Sequence, residues 1–280
     1  MNTPVSDRGL PSSALADPAT QPDLGVPAGV NPIEFAELSS ARTCYGRSTI
    51  VWAESCRHHV EDDWWIGLSG TPYVDYNLAL LHGDRSVEAA PQVLSEIQQA
   101  GVPSLIMLAG AGLGASQTLI ETGWVCTGTL PFMGKRGGSA EDDPSLRRLA
   151  PQELVKARSL AAAAFGVPEE VGAIAYADDR VNLPGCRTWG LFEGDELMSC
   201  LLTMNVEGYS VGWALATAPE NQRAGYGRRL VRALAYRRLH KGPRIGLLMA
   251  TNAGQRLYRQ EGYVTLEHWQ IWSRPRWVLR

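Results

Sequence analysis

The hexapeptide Gln222-Arg223-Ala224-Gly225-Tyr226-Gly227 constrains this chain more than any other stretch, because of what flanks it. Upstream, Ser210 to Thr217 reads as a strand. Downstream, Arg228 to Leu239 reads as a helix whose apolar face is Leu230, Val231, Leu234, Ala235 and Leu239. A strand, a Gly-rich turn and a helix N-terminus together make a socket for a phosphate or pyrophosphate. First-turn N–H groups are unpaired, the dipole end is positive, and glycines let an anion approach the backbone.

Two Gly-rich loops are excluded by their missing residues. A Walker loop ends in Gly-Lys-Ser/Thr, which occurs nowhere in the chain. A dinucleotide fingerprint needs a third Gly three residues after Gly227, where Leu230 stands. The pattern that remains is Gln/Arg-x-x-Gly-x-Gly/Ala. Beyond the helix, Arg244 to Ala250 reads as a short buried strand, Ala253 to Gln260 as a helix, and Val264 to Trp272 as a last strand. Between Asn252 and Tyr263 the order is Asn, Ala, Leu257-Tyr258, then Gly262 followed by an aromatic. These two segments, in this order, resemble the two signatures of the GNAT superfamily of N-acetyltransferases, over about residues 144–273.

The resemblance implies an α/β fold of mixed, mostly antiparallel sheets flanked by helices. It also implies acetyl-CoA as co-substrate, no metal, and a primary amine on a small molecule or peptide as acceptor. The pyrophosphate falls to the N–H groups of Arg223, Ala224, Gly225, Tyr226, Gly227 and Arg228, with the Gln222 and Arg223 side chains beside them. Carbonyl polarisation and pairing with the pantetheine arm fall to the strand end at Leu215, Ala216 and Thr217. Asn252 is implied as a pantetheine contact, and Tyr258 matches the tyrosine that the family uses as general acid. A phenol with a pKa near 10 is weak but adequate beside a thiolate of pKa ~8.5.

An alkyl ammonium is about one part in a thousand free base at pH 7, a deficit of ~4 kcal/mol, so a base is needed. Glu207 is the leading candidate, with His268 and Glu220 as others; the family has no fixed motif for this group. Arg228, Arg229, Arg232, Arg237 and Arg238 read mainly as a solvated helix face. Cys200 reads as a buried strand residue. His58-His59 with Glu61, Asp62 and Asp63 has metal-ligand types, but adjacent strand residues face opposite ways and a solvated loop is expected. Trp64-Trp65, Trp269 and Trp272 are expected in a core or interface.

At 280 residues and 45% apolar content the chain can hold two ordinary domains or one large one. A net charge of -3 argues against a dedicated nucleic-acid binder. Five scattered cysteines without Cys-x-x-Cys argue against a disulfide scaffold or structural zinc. Neither a signal peptide nor an apolar run of about 18 residues is present, so no membrane partner and a cytoplasmic location are expected.

Residues 1–30 carry five prolines and read as a loose tail. Met133 to Pro144 is the linker candidate, dividing the chain into 31–138 and 144–280. The first part echoes the second. Tyr76 to Leu81, Val102 to Leu108 and Trp124 to Met133 read as strands, Ser86 to Gln99 and Ala115 to Glu121 as helices. Gly123-Trp124 parallels Gly262-Tyr263, 139 residues on. The expectation is a tandem pair of GNAT-like domains. The first lacks Gly-x-Gly at His82 to Glu88, and Asp84 and Glu88 repel a pyrophosphate, so it is expected to be degenerate and not to bind CoA. A transferase of a longer acyl-CoA, an aminoacyl transferase (disfavoured by the intact loop) and a non-catalytic CoA-responsive regulatory module remain open alternatives.

Overall fold

The computed structural model describes residues 35–53, 57–137, 140–179, 183–243 and 245–278. The tail expected over 1–30 lies outside them. The first part of the chain carries strands β1 (His58–Val60), β2 (Trp64–Leu68), β3 (Asn77–Leu81), β4 (Leu105–Leu108) and β5 (Val125–Arg136). Its helices are α1 (Phe35–Ser48), α2 (Ser86–Ala100) and α3 (Ser116–Glu121). The second part carries β6 (Leu146–Arg148), β7 (Cys186–Glu193), β8 (Glu196–Val206), β9 (Tyr209–Thr217), β10 (Ile245–Met249) and β11 (Val264–Ser273). Its helices are α4 (Leu154–Phe165), α5 (Glu169–Ala175), α6 (Tyr226–Lys241), α7 (Asn252–Gln260) and α8 (Pro275–Val278).

All eleven strands join one mixed, largely antiparallel sheet in the order β1-β2-β3-β4-β11-β5-β10-β9-β8-β7-β6. Helices cover both faces, so the central strands are buried on both sides and read as unbroken apolar runs, as in Trp64 to Leu68. On one face, α1 and α4 pack over a core holding Tyr45, Trp65, Phe132, Leu160, Leu202 and Trp269. On the other, α2 covers Ile66, Leu81 and Ile106, while α6 covers Leu191 and Leu201. Trp65, Trp269 and Trp272 are core, as expected from the sequence.

Two pairs among the described strands are parallel, β3 with β4 and β9 with β10, and each is bridged by its own helix, α2 or α6. Each unit then continues through a short helix into a long last strand. Those last strands are interleaved: β11 lies between β4 and β5, and β5 lies between β11 and β10. The chain therefore cannot be cut at residues 138–144 without separating strands that are hydrogen-bonded to each other.

The expected linker begins too early in the sequence. Met133 to Arg136 belong to β5, and Met133, Gly134, Lys135 and Arg136 pair in register with Leu248, Leu247, Gly246 and Ile245. Lys135 is fully buried there, a polar residue recruited into the sheet by pairing on its backbone. No helix among the described residues is long and apolar enough to cross a membrane.

Candidate active site

The register of β9 creates the site. Tyr209 to Val211 pair with Ile245 to Leu247, and there the pairing stops, although β9 runs on to Thr217 and β10 to Met249. On its other side β9 carries a bulge: between the pairs Leu202–Trp213 and Cys200–Ala216 it spends one residue more than β8. Ala214 in that bulge has a φ of 52°, unusual for a residue with a side chain. The Tyr176 hydroxyl donates to the Ala214 carbonyl at 2.9 Å and pins it. Leu215, inside the bulge, has no register partner in either neighbouring strand. It lines a cleft at the point where β9 and β10 part.

The cleft, of about 1330 Å³, passes through this gap and is lined from both faces. Leu215, Ala216, Thr217, Gln222, Arg223, Gly225, Tyr226, Gly227 and Arg228 line it on the loop side, and Tyr258 on α7 faces the same cleft. The strand, loop and helix predicted from sequence are thus brought together around one space. The carbonyls of Ala216 and Thr217 already accept hydrogen bonds, from Ser199 Oγ at 2.7 Å and Gln222 Nε2 at 3.4 Å. Leu215 is the strand-end residue left for a ligand.

Helix α6 begins two residues earlier than the sequence reading, so Tyr226 and Gly227 lie in its first turn. Arg229 N–H bonds to the Gly225 carbonyl at 3.0 Å. Among the described residues, the N–H groups of Gly225, Tyr226, Gly227 and Arg228 have no hydrogen-bond acceptor, the orphan donors of a helix start. Gly225 at the N-cap has a φ of 96°, which a side chain resists, while the space around its α-carbon is open. Gly227 differs: a Cβ there meets Thr217 Oγ1 at 3.4 Å and Leu257 Cδ2 at 3.6 Å, ordinary contacts. The loop shape therefore requires glycine at one of the two positions.

Such a parted pair of strands, with a helix N-terminus aimed across the gap, matches a known domain. Residues 184–265 fit the family model described as an acetyltransferase (GNAT) domain. The chain carries a GNAT acyltransferase domain. The chain is similar in fold to a GCN5-related N-acetyltransferase from Kribbella flavida, at 15% identity and a TM-score of 0.62 over 86% of this chain and 95% of that one. A GCN5-related N-acetyltransferase from Sphaerobacter thermophilus is similar at 13% identity and a TM-score of 0.54, over 76% of each chain. At these identities the likeness is one of fold. No curated protein matches the sequence.

Within the GNAT domain, Tyr258 is half-buried, and its ring meets Tyr263 edge-on at 5.5 Å. Burial, and then the neighbouring Tyr263 phenol, push the Tyr258 hydroxyl well above the ordinary phenol range. The group thus holds its proton at neutral pH and is fit to donate a hydrogen bond, not to serve as a base. Asn252 is exposed and does not line the cleft; Thr251 caps α7 by accepting from Gly254 N–H at 3.2 Å. Ala224 does not line the cleft either, and its N–H donates to the Asn221 carbonyl at 3.4 Å.

The base candidates are not gathered at the gap. Glu207 occupies the two-residue hairpin turn between β8 and β9, at a φ of 45°, and pairs with Arg47 in solvent. Glu220 borders a separate shallow depression of about 640 Å³ that shares no residue with the cleft. His268 is exposed on β11, outside the cleft lining. Polar strand ends and turns offered Glu207 and Glu220 by proximity in sequence, but a turn at the far end of β9 is far from the gap. Asp75, in a 3-10 turn just before β3, is the one carboxylate that lines the cleft among the described residues. Nothing local in the sequence marks it.

The arginines of α6 are solvent-exposed or half-buried, as read from the sequence, and several are ion-paired as well. Arg228 and Arg232 flank the fully buried Glu261 carboxylate at 3.2 and 2.8 Å, tying α6 to the end of α7 that carries Tyr258. Arg229 pairs with Asp143 and Glu193, and Arg238 donates to the Tyr263 hydroxyl at 3.1 Å. His58 and His59 lie on strand β1, not in a loop. One ring contacts the Gly46 carbonyl at 3.1 Å and the other Glu96 at 3.3 Å. Cys200 is buried, and burial pushes its thiol up to about 12, far from a reactive thiolate.

The first part of the chain treats its corresponding turn differently. β3 and β4 stay paired from Leu78–Leu105 to Leu81–Leu108, with no gap. The start of α2 is closed by Asp63, whose carboxylate accepts from Arg85 Nε at 2.7 Å and whose carbonyl accepts from the N–H groups of His82 and Gly83.

Proposed function

We propose that this protein transfers an acetyl group from acetyl-CoA to a primary amine, at a single CoA site in the GNAT domain. The observation that carries this reading is the convergence of four orphan N–H groups at the start of α6, the unpartnered Leu215 and the Tyr258 hydroxyl on one cleft. Acetyl-CoA supplies an activated thioester carbonyl. The N–H groups of Gly225 to Arg228 hold the pyrophosphate, aided by the helix dipole. The Arg223 side chain adds positive charge beside them. Leu215 N–H bonds to the reacting carbonyl, and Tyr258 O–H donates toward the leaving sulfur.

In this reading the chain is a tandem of two GNAT-like units in which the first has lost the CoA site. Asp63 supplies an internal carboxylate where the second unit presents bare N–H groups, and the first unit serves as the far wall of the acceptor cleft. The deciding experiment follows thiol release from acetyl-CoA with a broad amine panel, alongside calorimetry of CoA binding. Amine-dependent thiol release sustains the reading. CoA binding without release on any amine transfers the case to a regulatory CoA-binding module, and absence of CoA binding removes both.

A further inference from the structure

The side of the cleft opposite the loop is built by residues far away in sequence. Tyr45 comes from α1, Trp52 from the turn after it, Asp75 and Tyr76 from the turn before β3, and Trp213 from β9. The rings pack directly on one another as an aromatic wall. Trp52 stands perpendicular to Trp213, with centroids 4.2 Å apart, and nearly perpendicular to Tyr76 at 5.5 Å. Tyr45 lies 4.5 Å from Trp213 on the other side. Tyr45 is buried, and it lines the same cleft as Tyr258.

Asp75 sits at the edge of this wall and is exposed. It makes no hydrogen bond and no ion pair among the described residues. Protein packed around it raises its carboxyl above the usual carboxylate range. A carboxylate without a counter-ion, beside aromatic faces, is a site that calls for a cation. Aromatic rings attract an ammonium through their negative faces and stack against an apolar body. The charge arithmetic restricts the cation further. Asp75 is the one carboxylate that lines the cleft among the described residues, so one ammonium is matched and a second is not.

We propose that Asp75 and the aromatic wall of Trp52, Tyr76 and Trp213, through the half-buried faces of Tyr76 and Trp213, select the acceptor, a monocationic primary amine carried on a flat apolar skeleton. Asp75 is here a specificity-determining residue that holds the ammonium, and the rings hold the skeleton. The proposal rests on the acetyl-transfer reading for its chemistry, although amine binding itself does not.

The test compares phenethylamine, glucosamine and spermidine as acceptors, by thiol release and by calorimetric binding to CoA-loaded protein. Phenethylamine is expected to exceed the other two in kcat/KM by roughly tenfold or more. Asp75→Asn is expected to raise its KM on the order of tenfold or more, with acetyl-CoA affinity unchanged and kcat changed much less. Asp75→Glu is expected to restore part of the loss, which a merely structural role does not predict. Equal use of the three amines, or an unchanged KM in Asp75→Asn, overturns the proposal and leaves acetyl transfer standing. Asp75-dependent binding of phenethylamine without thiol release sustains the amine site and overturns acetyl transfer instead.

Discussion

The hydroxyl of Tyr176 donates a 2.9 Å hydrogen bond to the carbonyl of Ala214, and this one contact holds the backbone bulge that parts β9 from β10. Tyr176 is fully buried just after α5, so the bulge is fixed from the opposite face to the loop that starts α6. Tyr176→Phe keeps the ring and removes the donor. It is expected to cost about 1–3 kcal/mol of stability in urea unfolding, since a buried acceptor is left unpaired. It is also expected to weaken acetyl-CoA binding in calorimetry. Parent-like affinity in a variant that has lost stability would separate the bulge from the ligand site.

The two glycines of the loop are expected to behave differently. Gly225→Ala forces a side chain into a φ of 96° and is expected to cost about 1–2 kcal/mol and to reduce CoA affinity. Gly227→Ala meets only ordinary contacts and is expected to leave both close to the parent. Thermal unfolding and CoA titration of the two variants check the contrast. Equal effects contradict it.

Tyr258→Phe removes the hydroxyl that faces the cleft while keeping the ring against Tyr263. Its kcat is expected to fall by on the order of 100-fold, with the Kd for acetyl-CoA within a factor of about two of the parent. A parent-like kcat removes Tyr258 from the chemistry.

Burial, with Arg238 close by, pulls the Lys135 ammonium down to about 8. Between pH 8 and about 10.5 the unfolded chain holds a proton that the folded chain has released. The stability of the parent relative to Lys135→Met is therefore expected to rise with pH through that window, by about 3 kcal/mol at most. Below pH 8 the penalty for burying the charge is present in full. Urea unfolding of both proteins at pH 7.5 and pH 10 checks the sign; a flat or falling difference contradicts it.

Much of the proposed CoA side was legible because it is local. Ser210 to Gly227 contains the strand, the turn and the helix start within one continuous segment, and Tyr258 follows one strand later. The acceptor side was not. Asp75 carries no motif, and Tyr45, Trp52 and Trp213 meet only because α1 packs across β9. Glu207 was drawn toward the site by its place beside β9, whereas the hairpin register sets it at the end remote from the gap. The arginines of α6 showed the spacing of a solvated face, and only the packed position of Glu261 turned two of them into a clamp.

By itself the sequence determined the local units: two βαβ segments, each with a further helix and strand, one carrying a glycine at a left-handed helix cap. Short-range sterics and hydrogen bonding decide these within a few residues. The tertiary structure alone decided the interleaving of β5 and β11, the gap beside Leu215 and the aromatic wall with Asp75 at its edge. These depend on pairing register and side-chain packing between segments up to about 160 residues apart, where no local preference discriminates among partners.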